Sequence, residues 1–222
     1  MEAKMDASFT DHVNVPHVAD GLEQLILDEI AKQARLNTTL LVLDLPCGDG
    51  RRAAEMARLG ATVLASDNPE QAPVVAGHAL AAEVREQVRF LPCRLECDPL
   101  PFDADTQFDL IFCHCGLSFL PYAEAQKLLI RLLKFLRIGG KLFVTVHGLY
   151  SDLGKGYKDY NRPIDTRFCP LAPAVAKCYD IKDKICLYSE RDLLRTLIEI
   201  GSGVLQTFTS THGAVKGVAV RV

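Results

Sequence analysis

Apolar and polar positions fall into blocks along this chain, and the period changes from block to block. Leu40 to Leu43 is an apolar run too short for a typical helix, closed at once by Asp44 and by a turn containing Gly48 and Gly50. Such a run reads as a strand buried on both faces, as in a parallel sheet. From Arg51 the pattern turns helical, with Ala53, Ala54, Met56 and Ala57 supplying a mostly small apolar face. Ala61 to Asp67 reads as a second strand that again ends in an acid. Pro69 and Pro73 then precede an alanine-rich helix expected to run to about Glu86, and Val88 to Leu91 is the third strand. Phe108 to Cys113 is the fourth. Pro121 opens a helix with Ala125, Leu128, Leu129, Leu132, Leu133 and Leu136 on its apolar face, and Gly139 and Gly140 are expected to end it. Leu142 to Val146 is the fifth strand.

Two regions frame this alternation. Upstream, Leu22, Leu25, Ile26 and Ile30 keep helical spacing, with Glu23, Asp28, Glu29 and Lys32 elsewhere on the circumference. Downstream, residues 148–187 carry proline, glycine and tyrosine but no long amphipathic period. A stretch of that length without regular elements is uncommon in a compact domain, so a partly structured cap is expected there. Ser189, Glu190, Arg191 and Asp192 then fit a capped helix start, with the helix running to Gly201. Val204 to Thr209 and Val215 to Val222 read as two closing strands. Strands alternating with helices predict an α/β fold with a parallel sheet.

Length and composition narrow the class. A chain of 222 residues suits one large α/β domain over 1–222, with 148–187 as an insertion within it. The net charge of −3, with no basic run, argues against a partner held through many phosphates, so no nucleic acid is expected. No apolar stretch reaches bilayer-spanning length, and Met1 to Thr10 lacks a signal peptide's apolar block. Eight scattered cysteines do not resemble a disulfide framework, and a reducing cytoplasm is the expected compartment. His12 and His17 in the leader are expected to face solvent.

The chemistry centres on the first turn. Strand, glycine turn and helix place backbone N–H groups beside a strand's carboxyl end, where open α/β sheets bind ligands. Asp67 follows at the distance from which a carboxylate reaches ribose hydroxyls, and as a strand-end acid it is expected to be exposed. The turn reads Asp-x-Pro-Cys-Gly-x-Gly rather than Gly-x-Gly-x-x-Gly, so the dinucleotide fingerprint is not met. In these residues the chain resembles the class I S-adenosylmethionine-dependent methyltransferases. Phe108-Asp109-hydrophobic, Leu136-Arg137-Ile138-Gly139-Gly140 and the closing helix with two strands resemble that family's later segments.

The resemblance implies a Rossmann-like three-layer α/β/α sandwich with a mostly parallel seven-stranded sheet. It implies S-adenosyl-L-methionine as cofactor and S-adenosyl-L-homocysteine as product. The cofactor site it implies comprises Asp44, Pro46, Cys47, Gly48, Gly50, Asp67, Asn68, Arg94, Leu95 and Cys113. Asp44 would lie near the methionine amino group and Asp67 would hold the ribose. Arg94 stands where many relatives have an acid facing the adenine amine. Arginine has donors only, which leaves that acceptor missing unless Glu96 supplies it. The helix over Leu22 to Ile30 would either close over the cofactor mouth as a lid or pack on the sheet edge.

Methyl transfer depends on alignment, and a base is needed only when the acceptor must lose a proton. Positions after the fourth and fifth strands face the reacting methyl in this architecture: His114, Gly116, Ser118, His147 and Tyr150, with His114 the candidate base. Tyr150, Tyr157, Tyr160 and Arg162 are candidates for shaping an acceptor pocket. Cys113-His114-Cys115 has no second Cys/His pair at zinc-site spacing, so no metal is expected. The reading is methyl transfer to a small-molecule acceptor by in-line displacement. A catalytically silent methyltransferase-like binding protein is the alternative, and a nicotinamide oxidoreductase is disfavoured by the glycine spacing. The sequence leaves the acceptor and the oligomeric state open.

Overall fold

A computed structural model describes residues 21–36, 38–96 and 100–222. The first elements are α1 (Gly21–Arg35), β1 (Leu41–Asp44), α2 (Arg51–Arg58), β2 (Thr62–Asp67), α3 (Ala72–Ala81) and β3 (Val88–Pro92). They are followed by β4 (Phe108–His114), α4 (Tyr122–Phe135) and β5 (Leu136–Val146). The chain ends with β6 (Cys169–Pro170), α5 (Pro173–Tyr179), β7 (Lys184–Ile185), α6 (Glu190–Glu199), β8 (Gly203–Thr209) and β9 (Val215–Val220).

Seven strands form one sheet in the order β3-β2-β1-β4-β5-β9-β8. β1 to β5 pair in parallel, and β9 runs antiparallel to both β5 and β8. The chain moves outward from β1 through β2 and β3, then returns to lay β4 on the other side of β1. That reversal opens a crevice above the carboxyl ends of β1 and β4, where sheets of this class bind ligands.

Alternation along each strand divides the core into two layers. Val42, Phe112, Phe143 and Val218 pack beneath α1 and α2, against Leu22, Ile26, Ile30 and Met56. Leu43, Ile111, Leu142 and Val144 face the other way, against Leu128, Leu129 and Leu132 of α4 and Leu193 and Leu197 of α6. The expected three-layer sandwich with a mostly parallel seven-stranded sheet is therefore observed.

Three expectations are corrected. The helix expected to run to Glu86 stops at Ala81, and the chain turns through Glu83 at φ 58 before β3. Gly139 and Gly140 do not end α4, which stops at Phe135 when Leu136 turns extended; both glycines lie inside β5. Gly139 adopts φ 78, and a Cβ on Gly140 would lie 3.0 Å from the Asp109 carbonyl oxygen, so this stretch needs glycine for a bend and a close strand approach. The charged residues of α1 do not all face solvent, since Glu23 is buried with Leu22, Ile26 and Ile30. Of the two dispositions considered for α1, the helix packs on the sheet, with only its first turn reaching the crevice edge.

The segment 148–187 is more ordered than its composition suggests. It holds α5, the β6–β7 pair and a small core of Leu149, Leu153, Tyr157, Leu171, Ile181, Ile185 and Leu187. Specific hydrogen bonds replace periodic structure: the Tyr157 hydroxyl donates to the Ile185 carbonyl at 2.5 Å, and Phe168 N donates to Asp159 Oδ2 at 3.1 Å.

Candidate functional site

The turn after β1 is built for close backbone approach. Gly48 and Gly50 adopt φ 55 and φ 80, in the left-handed region that favours glycine. A Cβ on Gly50 would also lie 2.9 Å from both methyls of Val75. Gly48 N donates to Asp67 Oδ2 at 2.8 Å, and Asn68 N donates to Asp67 Oδ1 at 2.7 Å. Contrary to expectation Asp67 is only 3% exposed, because these two donors replace its water. Burial pushes its carboxyl up, while the Asn68 and Gly48 amides pull it back. Each of its oxygens still has acceptor capacity for another donor.

Asp44, at the end of β1, is buried and its Oδ2 has no hydrogen-bond partner. Burial, with the neighbouring Asp67 charge, pushes its carboxyl well above the usual carboxylate range. A buried acid with an unanswered oxygen beside a glycine turn is suited to a cationic donor, which would restore its ionisation. The ammonium group of an amino-acid-bearing nucleoside has that chemistry, so these residues fit the implied cofactor.

Between the loops after β1, β2 and β3 lies a narrow cleft. Pro46, Asp67, Asn68, Cys93, Leu95, Glu96 and Phe119 line it. Arg94 is exposed and outside this lining, whereas Glu96 is within it. Gly116 completes the packing here, since a Cβ on it would lie 2.5 Å from Pro46 Cδ and 2.9 Å from Leu95 Cδ1. Cys47 is buried and its backbone N donates to the Ser66 carbonyl at 3.0 Å. Cys113 is fully buried in the α4-side core, where burial pushes its thiol up to about 12; burial raises the Cys47 thiol as well. Neither thiol carries thiolate chemistry near neutral pH.

His114 closes β4 on the α1 side of the sheet. Its ring stacks on Phe112, with centroids 5.7 Å apart and planes 7° apart, and its Nε2 lies 3.5 Å from Glu23 Oε1. His147 is buried, and burial lowers it to about 4; its ring meets Phe119 edge-on, while its backbone N donates to Ser118 Oγ at 2.9 Å. Of the proposed pocket residues, Tyr157 belongs to the core of the insertion. Tyr150 and Tyr160 form an exposed pair at 6.1 Å, and Arg162 pairs with Asp159 at 3.3 Å. His12 and His17 lie outside the described residues. Among the described residues, no group of three or more His, Cys, Asp or Glu comes together in a way that could hold a metal.

Sequence reasoning passed over Glu23 and Lys216. Glu23 sits one residue from Leu22 and three from Ile26 on the apolar stripe of α1, and Lys216 interrupts the apolar run of β9. A charge on a buried face was the available signal.

Residues 42–140 match the family model of a methyltransferase domain. The chain is 28% identical over 156 residues to the demethylmenaquinone methyltransferase of Clavibacter sepedonicus, covering 69% of this chain and 61% of the relative. It is 32% identical over 102 residues to the phosphoethanolamine N-methyltransferase of Triticum aestivum, covering 46% of this chain and 20% of that one. In each case the match spans less than two thirds of the relative's length. Among solved structures, it is similar to the 1,6-didemethyltoxoflavin-N1-methyltransferase of Burkholderia thailandensis with bound 1,6-didemethyltoxoflavin and S-adenosylhomocysteine. That match has a TM-score of 0.61 and 20% identity, covering 91% of this chain and 79% of that one, a likeness of fold.

Proposed function

We propose that the chain is a class I S-adenosylmethionine-dependent methyltransferase and that it methylates a small-molecule acceptor by in-line displacement. The observation that carries this reading is the unpartnered, buried Asp44 Oδ2 next to the turn that Gly48 and Asp67 bind together. When bound, S-adenosylmethionine supplies an electrophilic methyl group on a sulfonium. Asp44 would accept from its ammonium group. Asp67 would use its remaining acceptor capacity on the ribose hydroxyls, with Asn68 and Leu95 beside the adenine and Glu96 placed to accept from the adenine amine. Gly48 and Gly50 keep side chains out of the methionine trough.

His114 is the proposed general base for an acceptor that must lose a proton. The insertion over 148–187, which begins directly after β5, is proposed to cover the acceptor and exclude water from it. No helix among the described residues is long and apolar enough to cross a membrane. The two curated relatives are named for a quinone-type and an amine acceptor, so the panel to test holds quinols, phenols and primary amines.

The test couples binding to turnover. S-adenosylmethionine or S-adenosylhomocysteine at 100 times its dissociation constant should stabilise the protein by about 2.7 kcal/mol, seen as a rise in melting temperature. Transfer of a tritiated methyl group to one panel member should follow. Absence of any thermal shift with either ligand at millimolar concentration would overturn the cofactor assignment. A shift without transfer to any acceptor class would favour a ligand-binding role instead.

A further inference from the structure

Three strands bring polar side chains into one row beneath the first turn of α1. His114 of β4 stands opposite Thr145 of β5, and Thr145 stands opposite Lys216 of β9. All three share the α1 side of the sheet, because Phe112, Phe143 and Val218, each two residues away, pack there. Thr145 and Lys216 are each 1% exposed. Glu23 enters this row from α1: its Oε2 accepts from Lys216 Nζ at 3.3 Å, and its Oε1 lies 3.5 Å from His114 Nε2. A buried lysine and a buried glutamate in an otherwise apolar layer are costly, and pairing lowers the cost without removing it. An apolar pair of similar volume would serve the core at least as well, so stability alone does not account for these two residues.

We propose that Glu23 is a positioning residue for His114, holding the Nε2–H tautomer of the imidazole and favouring its protonated form, while Lys216 fixes the second carboxylate oxygen. The inference rests on the reading of His114 as the base for methyl transfer. With the proton on Nε2 directed at Glu23, the imidazole lone pair lies on Nδ1, the nitrogen that would take the acceptor's proton. Phe112 fixes the ring plane by stacking, and Glu23 fixes the rotation about it. When His114 accepts the proton, the imidazolium forms next to an ionised carboxylate already oriented toward it, so little reorganisation is needed. Lys216 moderates the effect by sharing the carboxylate. Among the described residues, the other charges acting on Glu23 are Arg52 and Glu55 of α2, which pair with each other through Arg52 Nη1 and Glu55 Oε2 at 2.5 Å. Thr145 Oγ1 is buried without a partner between His114 and Lys216, and it keeps the row polar across β5.

The experiment is a nitrogen-15 NMR titration of His114 in the full chain without cofactor, which reads the imidazole whether or not the protein methylates anything. Wild type should show the Nε2–H tautomer. Glu23→Gln should lower the titration midpoint of His114 by about one pH unit or more, the size expected for losing an opposite charge at this distance. Lys216→Met should raise it. Because Glu23→Gln also removes the Glu23–Lys216 ion pair, the double variant Glu23→Gln/Lys216→Met is measured in parallel, and it should also titrate below wild type. An unchanged His114 midpoint in both Glu23 variants, or an Nδ1–H tautomer in wild type, overturns the proposal. If His114→Ala keeps full methyl transfer while the Glu23 variants shift the His114 midpoint, the base reading falls and the coupling stands.

Discussion

Arg167 Nη1 donates to Asp192 Oδ2 at 2.9 Å, joining the insertion after β5 to the first turn of α6. The same guanidinium donates to the Leu187 carbonyl at 2.7 Å and, through Nη2, to the Arg162 carbonyl at 2.7 Å. Asp192 in turn accepts from Ser189 N at 2.8 Å, completing the capping box of α6. One buried arginine therefore holds two segments of the insertion and a helix cap together. Its planar fork of donors allows this where a lysine ammonium would not.

Arg167→Met should destabilise the protein by about 3–5 kcal/mol, the range for breaking one side of a buried charge pair. Arg167→Lys should recover only part of that. Burial works against the ionised form of Asp192, but the Ser189 donors and Arg167 together hold its carboxyl below the usual carboxylate range. A depressed carboxyl contributes stability above its unfolded pKa and loses it as pH falls through the folded one. The Arg167 variants should therefore differ most from wild type above about pH 4 and converge below it. Urea unfolding at pH 7 and pH 3 measures both effects.

Asp67→Ala should weaken S-adenosylmethionine binding by at least about tenfold, since hydrogen bonds to a charged group contribute roughly 1.5–3 kcal/mol each. The variant should also lose stability, because Gly48 N and Asn68 N would lose their buried acceptor. Asp67→Asn retains one carbonyl oxygen but turns an amide toward one of these N–H donors, so its loss should lie between. Isothermal titration with parallel melting curves separates the two effects. Unchanged affinity in Asp67→Ala would remove the ribose assignment.

Glu96 and Arg94 give opposite expectations. Glu96 lines the cleft and Arg94 does not, so Glu96→Ala should reduce cofactor affinity while Arg94→Ala should leave it within about twofold of wild type, less than 0.5 kcal/mol. Equilibrium binding of S-adenosylhomocysteine to the two variants checks this. A loss confined to Arg94→Ala would move the adenine out of this cleft.

Much of the frame was legible because it rests on periodicity. Leu40, Val42 and Leu43, Phe108 and Leu110 to Cys113, and the leucines of α4 are buried as their spacing indicates, and Ser189 with Asp192 forms the expected capping box. The acids were legible as residues but not in their surroundings. Nothing local in the sequence places the Gly48 and Asn68 amides on Asp67, or makes Asp109 accept from Leu41 N at 2.7 Å. The insertion was legible only as an interruption, because residues distant in sequence form its core and the hydrogen bonds of Tyr157 and Arg167 hold it. Glu23 and Lys216 lie on different elements, and the packing of α1 on the sheet brings them together. Removing Lys155 to Asp165 would take out Tyr157, Asp159 and Ile164, so single substitutions at the exposed Tyr150 and Tyr160 test the proposed cover without unfolding it.

His147 should give the protein an acid-sensitive component of stability. Burial lowers it from an ordinary 6.5 to about 4. Between these values the unfolded chain binds the proton and the folded one does not, so stability falls as pH drops through the window and levels out below it. The loss should be up to about 3 kcal/mol across the window, at roughly 1.4 kcal/mol per pH unit. His147→Phe, which keeps a ring against Phe119, should abolish this slope. Denaturant midpoints at pH 7, 5.5 and 4 for both proteins decide the matter, and identical slopes would mean that His147 is protonated without cost.

Cofactor binding should release a proton from Asp44. In the free protein, burial and the Asp67 charge keep this carboxyl well above the usual range, and its Oδ2 has no partner. An ammonium group brought to that oxygen favours the ionised form, so binding drives the proton off wherever the free carboxyl is protonated. Affinity should then rise with pH up to the pKa of Asp44 in the free protein and flatten above it. Calorimetric titrations of S-adenosylmethionine in two buffers of different ionisation enthalpy report the protons released directly. Asp44→Asn should release none from this site and bind more weakly than wild type at neutral pH, because it presents no charge to the ammonium group. If wild type and Asp44→Asn release the same number of protons, the amino group of the cofactor does not meet Asp44.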